Sequence, residues 1–227
     1  TKIDNKPPKY SGAYPISDAA LYLRATMDLG KLPSLTTKHL YRWIREGLAS
    51  KYQIETLYRP RIVTFKDLIS FRVIAAMRGN GNSPVEIKTV ESELRTVYGW
   101  EYPFAMAQFW TSGPDVFIKI GNQHIAVYKH WQAALAFIEE YLKPVHGLSF
   151  DLSEVAATWT PQEGILLDPT IQFGEPCIEG TRVPTQVIWA FYRAGDSLDE
   201  LAHLYSLPKT VLERAIDWEK RLNQSRG

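Results

Sequence analysis

The chain has 227 residues, of which 45% are hydrophobic and 22% charged, a balance typical of a globular protein with a substantial core. Its apolar runs are short and interrupted by charges, which excludes a transmembrane helix, and its polar start TKIDNKPPKY lacks the apolar segment of a signal peptide. Cys177 is the single cysteine, so an intramolecular disulfide is excluded and a reducing, cytoplasmic location is expected.

The net charge of +1 conceals two halves of opposite sign. Residues 1–100 hold 16 Lys and Arg against 9 Asp and Glu, a balance of +7, whereas residues 101–227 hold 10 against 16, a balance of −6. A basic front half suits nucleic acid, and an acidic rear half suits a basic protein or simply water. We expect a flexible arm at 1–13, a DNA-binding domain at 14–100, a connector at 101–161 and a C-terminal domain at 162–227.

Two short helices are predicted at the front of the chain. The first covers Pro15–Arg24, with Ser17 as N-cap and small apolar residues at helical spacing. The second covers Leu35–Glu46 and ends at Gly47. Its cations recur at i, i+4 and i+7 and therefore share one face, which is typical of a DNA-recognition helix and equally of a solvated surface helix. These cations are Lys38, Arg42 and Arg45.

The next segment mixes β-branched, aromatic and basic residues, which predicts a β-hairpin, or wing. It runs from Leu48 to Thr64 and is interrupted by a proline. A strongly amphipathic helix follows at Phe65–Arg78, and Pro84 begins another helix that stops at Gly99. The cations of the wing are Lys51, Arg59 and Arg61.

This order of elements resembles the N-terminal winged-helix domain of MerR-type regulators over residues 14–98. The segments that carry the resemblance are YPISDAALYLR, LTTKHLYRWIREGL and IVTFKDLISFRVIAAMR. The fourth helix differs from that family, whose members continue into a long dimerising coiled coil. The resemblance implies DNA contacts from the second helix and the wing. The implied DNA-binding residues are Thr37, Lys38, His39, Arg42, Arg45, Lys51, Arg59 and Arg61.

Residues 101–161 are interpreted as a connector that also buries apolar surface. Short apolar runs separated by glycine- and proline-containing turns predict a small β-meander with one helix. The predicted strands are Phe104–Trp110, Val116–Ile120, Ile125–Tyr128 and Leu148–Asp151, and the predicted helix is Trp131–Leu142.

The C-terminal module is predicted to be one short buried strand followed by three helices. The strand is Ile165–Leu167, and Cys177 is interpreted as a small buried hydrophobic residue. Ser197 is the predicted cap of the second helix. The first helix runs from Pro184 to Arg193 and the third from Pro208 to about Leu222. The inward residues expected on the first are Val187, Ile188, Ala190 and Phe191.

Residues 165–219 contain LDPTIQFGEPCIEGTRVPTQVIWAFYRAGDSLDELAHLYSLPKTVLERAIDWE. This segment resembles the domain of unknown function numbered 433, a family assigned to antitoxins of bacterial toxin–antitoxin pairs, and GTRVP is its most specific part. Joined to a MerR-like front, it resembles VapB-type antitoxins, whose toxins are PIN-domain ribonucleases.

Arg182, inside that specific part, allows two interpretations. It would form charge-assisted bonds if inserted among the carboxylates that hold the metal of a PIN nuclease. Alternatively, it ties its own loop to Asp168 or Glu175. The predicted toxin-binding residues are Arg182, Glu175, Asp199 and Glu200.

These patterns predict an α+β, mainly helical antitoxin. It would neutralise a PIN-domain ribonuclease by direct binding and repress its own operon by binding operator DNA, as a homodimer or a hetero-oligomer with the toxin and without a membrane partner. The alternative is a stand-alone MerR-like regulator whose C-terminal domain only dimerises. No phosphate-binding loop, nucleophile elbow, catalytic triad or metal-ligand spacing occurs, so no enzymatic activity, cofactor or metal is expected.

Overall fold

A computed structural model describes residues 12–26, 35–48, 62–79, 81–107, 109 and 147–226. Within these ranges the fold is α+β and mainly helical, which confirms the predicted class. The helices are α1 Ile16–Thr26, α2 Thr37–Arg45, α3 Phe65–Gly79, α4 Pro84–Tyr98, α5 Thr185–Ala194, α6 Leu198–Tyr205 and α7 Lys209–Gln224. The strands are β1 Tyr14–Pro15, β2 Ile62–Val63, β3 Leu148–Phe150, β4 Ala156–Gln162, β5 Ile165–Leu167 and β6 Cys177–Ile178. None of the helices in these ranges is long and apolar enough to cross a bilayer.

The front of the molecule is built around α3, which is buried along most of its length. A helix that is apolar on nearly every side is stable only when other elements cover it. Ala19 and Ala20 of α1 are fully buried, and Trp43 of α2 lies with its ring centroid 6.2 Å from that of Phe71 in α3. The helices predicted around Pro15–Arg24, Leu35–Glu46 and Phe65–Arg78 are therefore confirmed with small shifts of their ends. The predicted N-cap at Ser17 is wrong, because α1 begins at Ile16 and Ser17 lies within it.

The boundaries of α4 follow its capping residues. Ser83 and Glu86 exchange hydrogen bonds at the helix start, with Ser83 N–H donating to the Glu86 carboxylate at 2.6 Å. At the other end Gly99 adopts a left-handed conformation with φ +70, which a side chain would resist. Both ends agree with the prediction from Pro84 and Gly99.

The strand β2 has a partner that the sequence pattern did not indicate. Ile62 and Val63 were expected at the end of the wing hairpin, and they pair antiparallel with Pro15 and Tyr14 of β1. This pairing joins the start of α1 to the start of α3. The rest of the predicted wing, residues 49–61, lies outside the described residues, as do the predicted strands and helix between 111 and 146.

The predicted strand Phe104–Trp110 is wrong, because the described residues on either side of Met106 are in helical turns. Residues 103–105 form a 3₁₀ turn, because Pro103 suits the first position of a helical turn and Ala105 N–H donates to the Tyr102 carbonyl at 3.0 Å. Phe104 and Phe109 are both buried, with ring centroids 5.3 Å apart. The apolar residues of this run are therefore buried by a compact turn and not by a strand. Among its described residues, Met106 alone forms a β-bridge, which pairs it with Val155.

A four-stranded antiparallel sheet in the order β3-β4-β5-β6 precedes the last helices. The predicted strands at Leu148–Asp151 and Ile165–Leu167 are present as β3 and β5. Residues of β4 pair on both sides, with Trp159 opposite Leu148 in one strand and Leu167 in the other. The boundary predicted between residues 161 and 162 falls within β4, so the β4–β5 hairpin spans the predicted connector and C-terminal domain.

The helices α5, α6 and α7 pack into a small bundle whose core contains Ile188, Leu201, Leu212 and Trp218. Ser197 caps α6 as predicted. Thr185 Oγ1 donates to the Glu219 carboxylate at 2.5 Å, and burial raises the pKa of Glu219. The three predicted helices are confirmed.

One assignment within this bundle is wrong, because several apolar residues of α5 lie on its exposed side. Ile188 is fully buried, but Val187 is 36% exposed, Phe191 is 41% exposed and Ala190 is also exposed. The sequence pattern shows that these residues are apolar and does not show that α7 and α6 cover only one side of α5.

The front and rear of the molecule share one continuous core. The rings of Tyr22 in α1 and Trp218 in α7 lie 6.3 Å apart, and Arg24 Nε donates to the Ser225 carbonyl at 2.9 Å. The Arg72 guanidinium in α3 lies over the Trp159 ring of β4, 5.3 Å from its centroid. Burial lowers the pKa of Arg72 to about 10, so it remains charged at neutral pH.

The tightest contact of this junction lies between Tyr14 and a left-handed turn. Gln172, Phe173 and Gly174 have φ of +47, +56 and +94, and Ala13 N–H donates to the Phe173 carbonyl at 2.9 Å. Such a run of left-handed residues persists only where its surroundings fix it. A Cβ on Gly174 would overlap the Tyr14 hydroxyl, so the buried Tyr14 ring occupies the space that the glycine leaves open.

We predict that Gly174→Ala destabilises the protein more than Gly180→Ala does. Both glycines are left-handed, so each alanine costs about 1–2 kcal/mol of backbone strain. Nothing lies within 4 Å of a Cβ at Gly180, whereas at Gly174 the clash with Tyr14 adds a further ~1–3 kcal/mol. Urea unfolding followed by circular dichroism measures both losses, and equal losses would show that Tyr14 moves aside without cost.

Candidate nucleic-acid interface and the C-terminal module

The helix α2 is held so that one side is buried and the other faces solvent. Leu40, Trp43 and Ile44 are buried against the front core. Leu48 N–H donates to the Trp43 carbonyl at 2.9 Å just beyond the helix, where Gly47 has φ +73. These contacts fix which residues of α2 point outward.

The outward side of α2 is cationic. Lys38, Arg42 and Arg45 are all exposed, and none of them forms an ion pair with a carboxylate of the described residues. Their spacing over about two turns places the three charges along one face roughly 10 Å long. The structure therefore brings together the three cations that the sequence pattern grouped.

His39 takes part in capping α2. Its Nδ1 accepts the Thr36 backbone N–H at 3.2 Å and lies 3.0 Å from the Thr36 hydroxyl. Burial, followed by the charges of Arg42, Lys38 and Arg78, lowers the pKa of His39. The imidazole is therefore neutral when it caps the helix, because a protonated Nδ1 could not accept from Thr36.

The remaining predicted DNA-binding residues divide into two groups. Thr37 is the first residue of α2 and is partly exposed beside the capping group. Lys51, Arg59 and Arg61 lie outside the described residues.

One cation near this surface was missed by the sequence analysis. Lys88 of α4 is exposed, and its Nζ is the nearest atom to a Cβ placed on Gly47, at 3.4 Å. The amine therefore lies at the end of α2 and extends its positive charge. No local sequence signal links Lys88 with Gly47, because they are far apart in the chain. Their proximity follows from the packing of α4 beside the end of α2.

In the C-terminal module Arg182 is exposed and pairs with neither proposed carboxylate. Its carbonyl accepts from Gln172 Nε2 at 3.2 Å, but its guanidinium forms no ion pair with the described residues. Asp168 instead accepts from the Thr170 N–H at 2.8 Å and hydroxyl at 2.7 Å. The interpretation that Arg182 ties its loop to Asp168 or Glu175 is therefore wrong, and the guanidinium is open to another partner.

The other predicted toxin-binding residues have mostly local roles. Asp199 forms an ion pair with Lys209 at 2.5 Å. Glu200 accepts from Ser197, and these hydrogen bonds lower its pKa. Glu175 and Arg182 are both exposed and both precede α5 in the chain, whereas Asp199 and Glu200 lie in the first turn of α6.

Cys177 is buried in β6, which confirms its interpretation as a small hydrophobic residue. Burial raises the pKa of its thiol to about 11, so the reactive thiolate is scarce at neutral pH. Among the described residues no group of three or more His, Cys, Asp or Glu could hold a metal ion.

Comparison with known proteins identifies one part of the chain. Residues 165–218 match the family model described as protein of unknown function (DUF433). This match runs from the start of β5 to Trp218 within α7 and agrees with the resemblance seen in the sequence. A search of curated proteins finds no match.

The fold as a whole is similar to a solved structure from Mycobacterium tuberculosis, described as the X-ray crystal structure of Rv2018. The two are 18% identical, with a TM-score of 0.71 over 90% of this chain and 96% of the other. At that identity the similarity shows a shared fold. The MerR-like character of residues 14–98 and the VapB-type assignment stay predictions.

We predict that the stability of the protein falls below pH 6.5 through His39. Because folding lowers the His39 pKa, its contribution is complete above the unfolded value of about 6.5 and is lost as pH falls through the folded value. In His39→Gln the amide oxygen replaces Nδ1 as acceptor without titrating. Unfolding free energies of the two proteins should therefore separate as the pH is lowered from 8 to 5, with the wild type losing more stability than His39→Gln, and parallel profiles would contradict the assignment.

Proposed function

We propose that this protein is a DNA-binding repressor that reads its operator with α2. The observation that carries the proposal is the row of exposed, unpaired cations on the outer side of the second helix of a helix pair. In helix-turn-helix proteins this helix enters the major groove, where Arg recognises guanine edges and Lys contacts phosphates. Arg42 and Arg45 are the proposed base-reading residues, and Lys38 a phosphate contact.

Two further features support DNA as the partner. The cations form no competing ion pairs with described carboxylates, so binding releases counterions from DNA without first breaking internal pairs. Lys88 lies at the end of α2, where a phosphate of the flanking backbone would meet its amine. The neutral His39 is proposed to act by fixing the first turn of the helix, and Thr37 to lie beside it near the backbone.

We further propose that the protein is the antitoxin of a cytoplasmic toxin–antitoxin pair and that its C-terminal module binds a PIN-domain ribonuclease. The match of residues 165–218 to DUF433 supports this, because that resemblance carries the expectation of an antitoxin. The excess of acidic residues after residue 100 would steer a basic partner.

The alternative is a stand-alone regulator whose C-terminal module only dimerises. It is favoured by the apolar, exposed side of α5, which needs a partner but does not demand a toxin. The reading frame next to the gene distinguishes the two: a short frame encoding a PIN-like protein supports the antitoxin, and its absence supports the stand-alone regulator.

We predict that Arg42→Ala and Arg45→Ala each weaken binding to the DNA upstream of the gene by about 1–3 kcal/mol. Fluorescence anisotropy with that DNA at one fixed salt concentration measures the affinity. Arg221→Ala is the matched control, because Arg221 is an exposed arginine on α7, away from α2. If both front variants bind like Arg221→Ala, α2 does not read the operator.

A second experiment tests the antitoxin role without DNA. We expect the product of the adjacent reading frame to arrest growth when expressed alone, to be harmless when co-expressed with this protein, and to co-purify with it. A neighbour that is harmless alone, or that stays toxic and does not co-purify, would leave the stand-alone regulator.

A further inference from the structure

The outer side of α5 is apolar although it faces solvent. Val187, Ala190, Phe191 and Ala194 are all exposed, and their i, i+3, i+4, i+7 spacing places them on one stripe, here called the α5 stripe. Leu204 of α6 is 64% exposed. Phe191 links the two helices through its contact with Tyr205, whose ring centroid is 6.4 Å away. An exposed apolar stripe of this kind is typical of a surface that a partner covers.

The α5 stripe has a shape that complements itself. Phe191 is large, whereas Ala190 and Ala194 on the same stripe are small. When two copies of such a helix meet antiparallel, each aromatic ring can lie over the alanines of the other helix, which is the ridge-into-groove packing of helices. The two-fold axis then passes near the middle of the stripe, between Ala190 and Phe191.

Charges of both signs lie at each end of α5, with Glu179 and Arg182 before it and Arg193 and Asp196 at its end. Arg182, just before the helix, has no ion-pair partner among the described residues. Asp196, just after it, likewise has none, whereas its neighbour Asp199 is occupied by Lys209. An antiparallel pairing brings the start of one helix to the end of the other. It would therefore place Arg182 of each copy near Asp196 of the other copy.

We propose that α5 is the interface with a second copy of this chain, packed antiparallel around a two-fold axis. The open charges favour this occupant because they lie at opposite ends of one short helix, which suits a copy of itself. The proposal names the surface through which the stand-alone alternative would dimerise, and it can fail without affecting the DNA-binding proposal. The α5 stripe alone is smaller than the roughly 800 Å² per partner of a standard interface, so we expect a reversible dimer.

The location of the interface is tested by analytical ultracentrifugation of the full chain without DNA or any partner. Ala190→Glu puts a charge in the middle of the α5 stripe at an exposed helical position, which leaves the fold intact. We expect it to raise the dimer dissociation constant roughly 30-fold or more. Val85→Glu is the matched control, because Val85 is an exposed apolar residue on α4, away from the stripe, and it should leave the dimer unchanged.

The antiparallel arrangement is tested by exchanging the end charges. Arg182→Glu and Asp196→Arg alone should each weaken the dimer, and the double variant, which restores opposite charges across the axis, should recover most of the wild-type affinity. Circular dichroism melting confirms that each variant is folded.

Several outcomes would overturn the proposal. The first is a wild-type chain that stays monomeric at about 100 μM or above, which is on the order of the weakest affinity expected for so small an interface. The second is a dimer whose affinity is unchanged by Ala190→Glu. The third is a double variant that dimerises more weakly than either single variant. If the wild type is monomeric and Ala190→Glu instead abolishes capture of the adjacent gene product, the stripe serves another protein and the second copy is rejected.

Discussion

The buried ring of Tyr14 fixes the relation between the two ends of the chain. Tyr14 lies in β1, just before α1, and pairs with Val63 of β2, while its ring occupies the space that Gly174 leaves beside a left-handed turn. Because Gly174 belongs to the segment that leads into α5, the position of the last helices depends on a residue just before the first helix. The contact between Tyr22 and Trp218 continues the same junction, so the front and rear form one core with two outer surfaces.

The two outer surfaces, formed by α2 at the front and by α5 at the rear, differ in chemistry although each is one side of a short helix. In α2 the apolar residues point inward and the cations outward, which suits a highly charged partner such as DNA. In α5 apolar residues lie on both sides, which suits a partner that excludes water. The residue types on the side turned away from the core therefore decide what each helix can bind, and a common core keeps the two surfaces in a fixed relation.

Local signals in the sequence were sufficient for much of the fold. Helix ends were predictable because capping depends on neighbouring residues, as with Ser83 at α4 and Ser197 at α6. The cationic side of α2 was predictable from spacing alone. The partner of β2, the turn at Phe104 and the exposure of Phe191 were not, because each depends on which distant element covers a residue. Lys88 joins the candidate site for the same non-local reason.

The contacts between the front and rear of the molecule limit the gene fusions through which this chain could have acquired a new domain. A gene fusion that supplied a new rear domain would remove Gly174 and Trp218 and expose the rings of Tyr14 and Tyr22 to water. A rear domain that replaced β4 would also remove the Trp159 ring that lies over the partly buried Arg72 guanidinium. Recombination at this point is therefore tolerated only when both sides of the junction are inherited together, so front and rear are expected to diversify as one lineage.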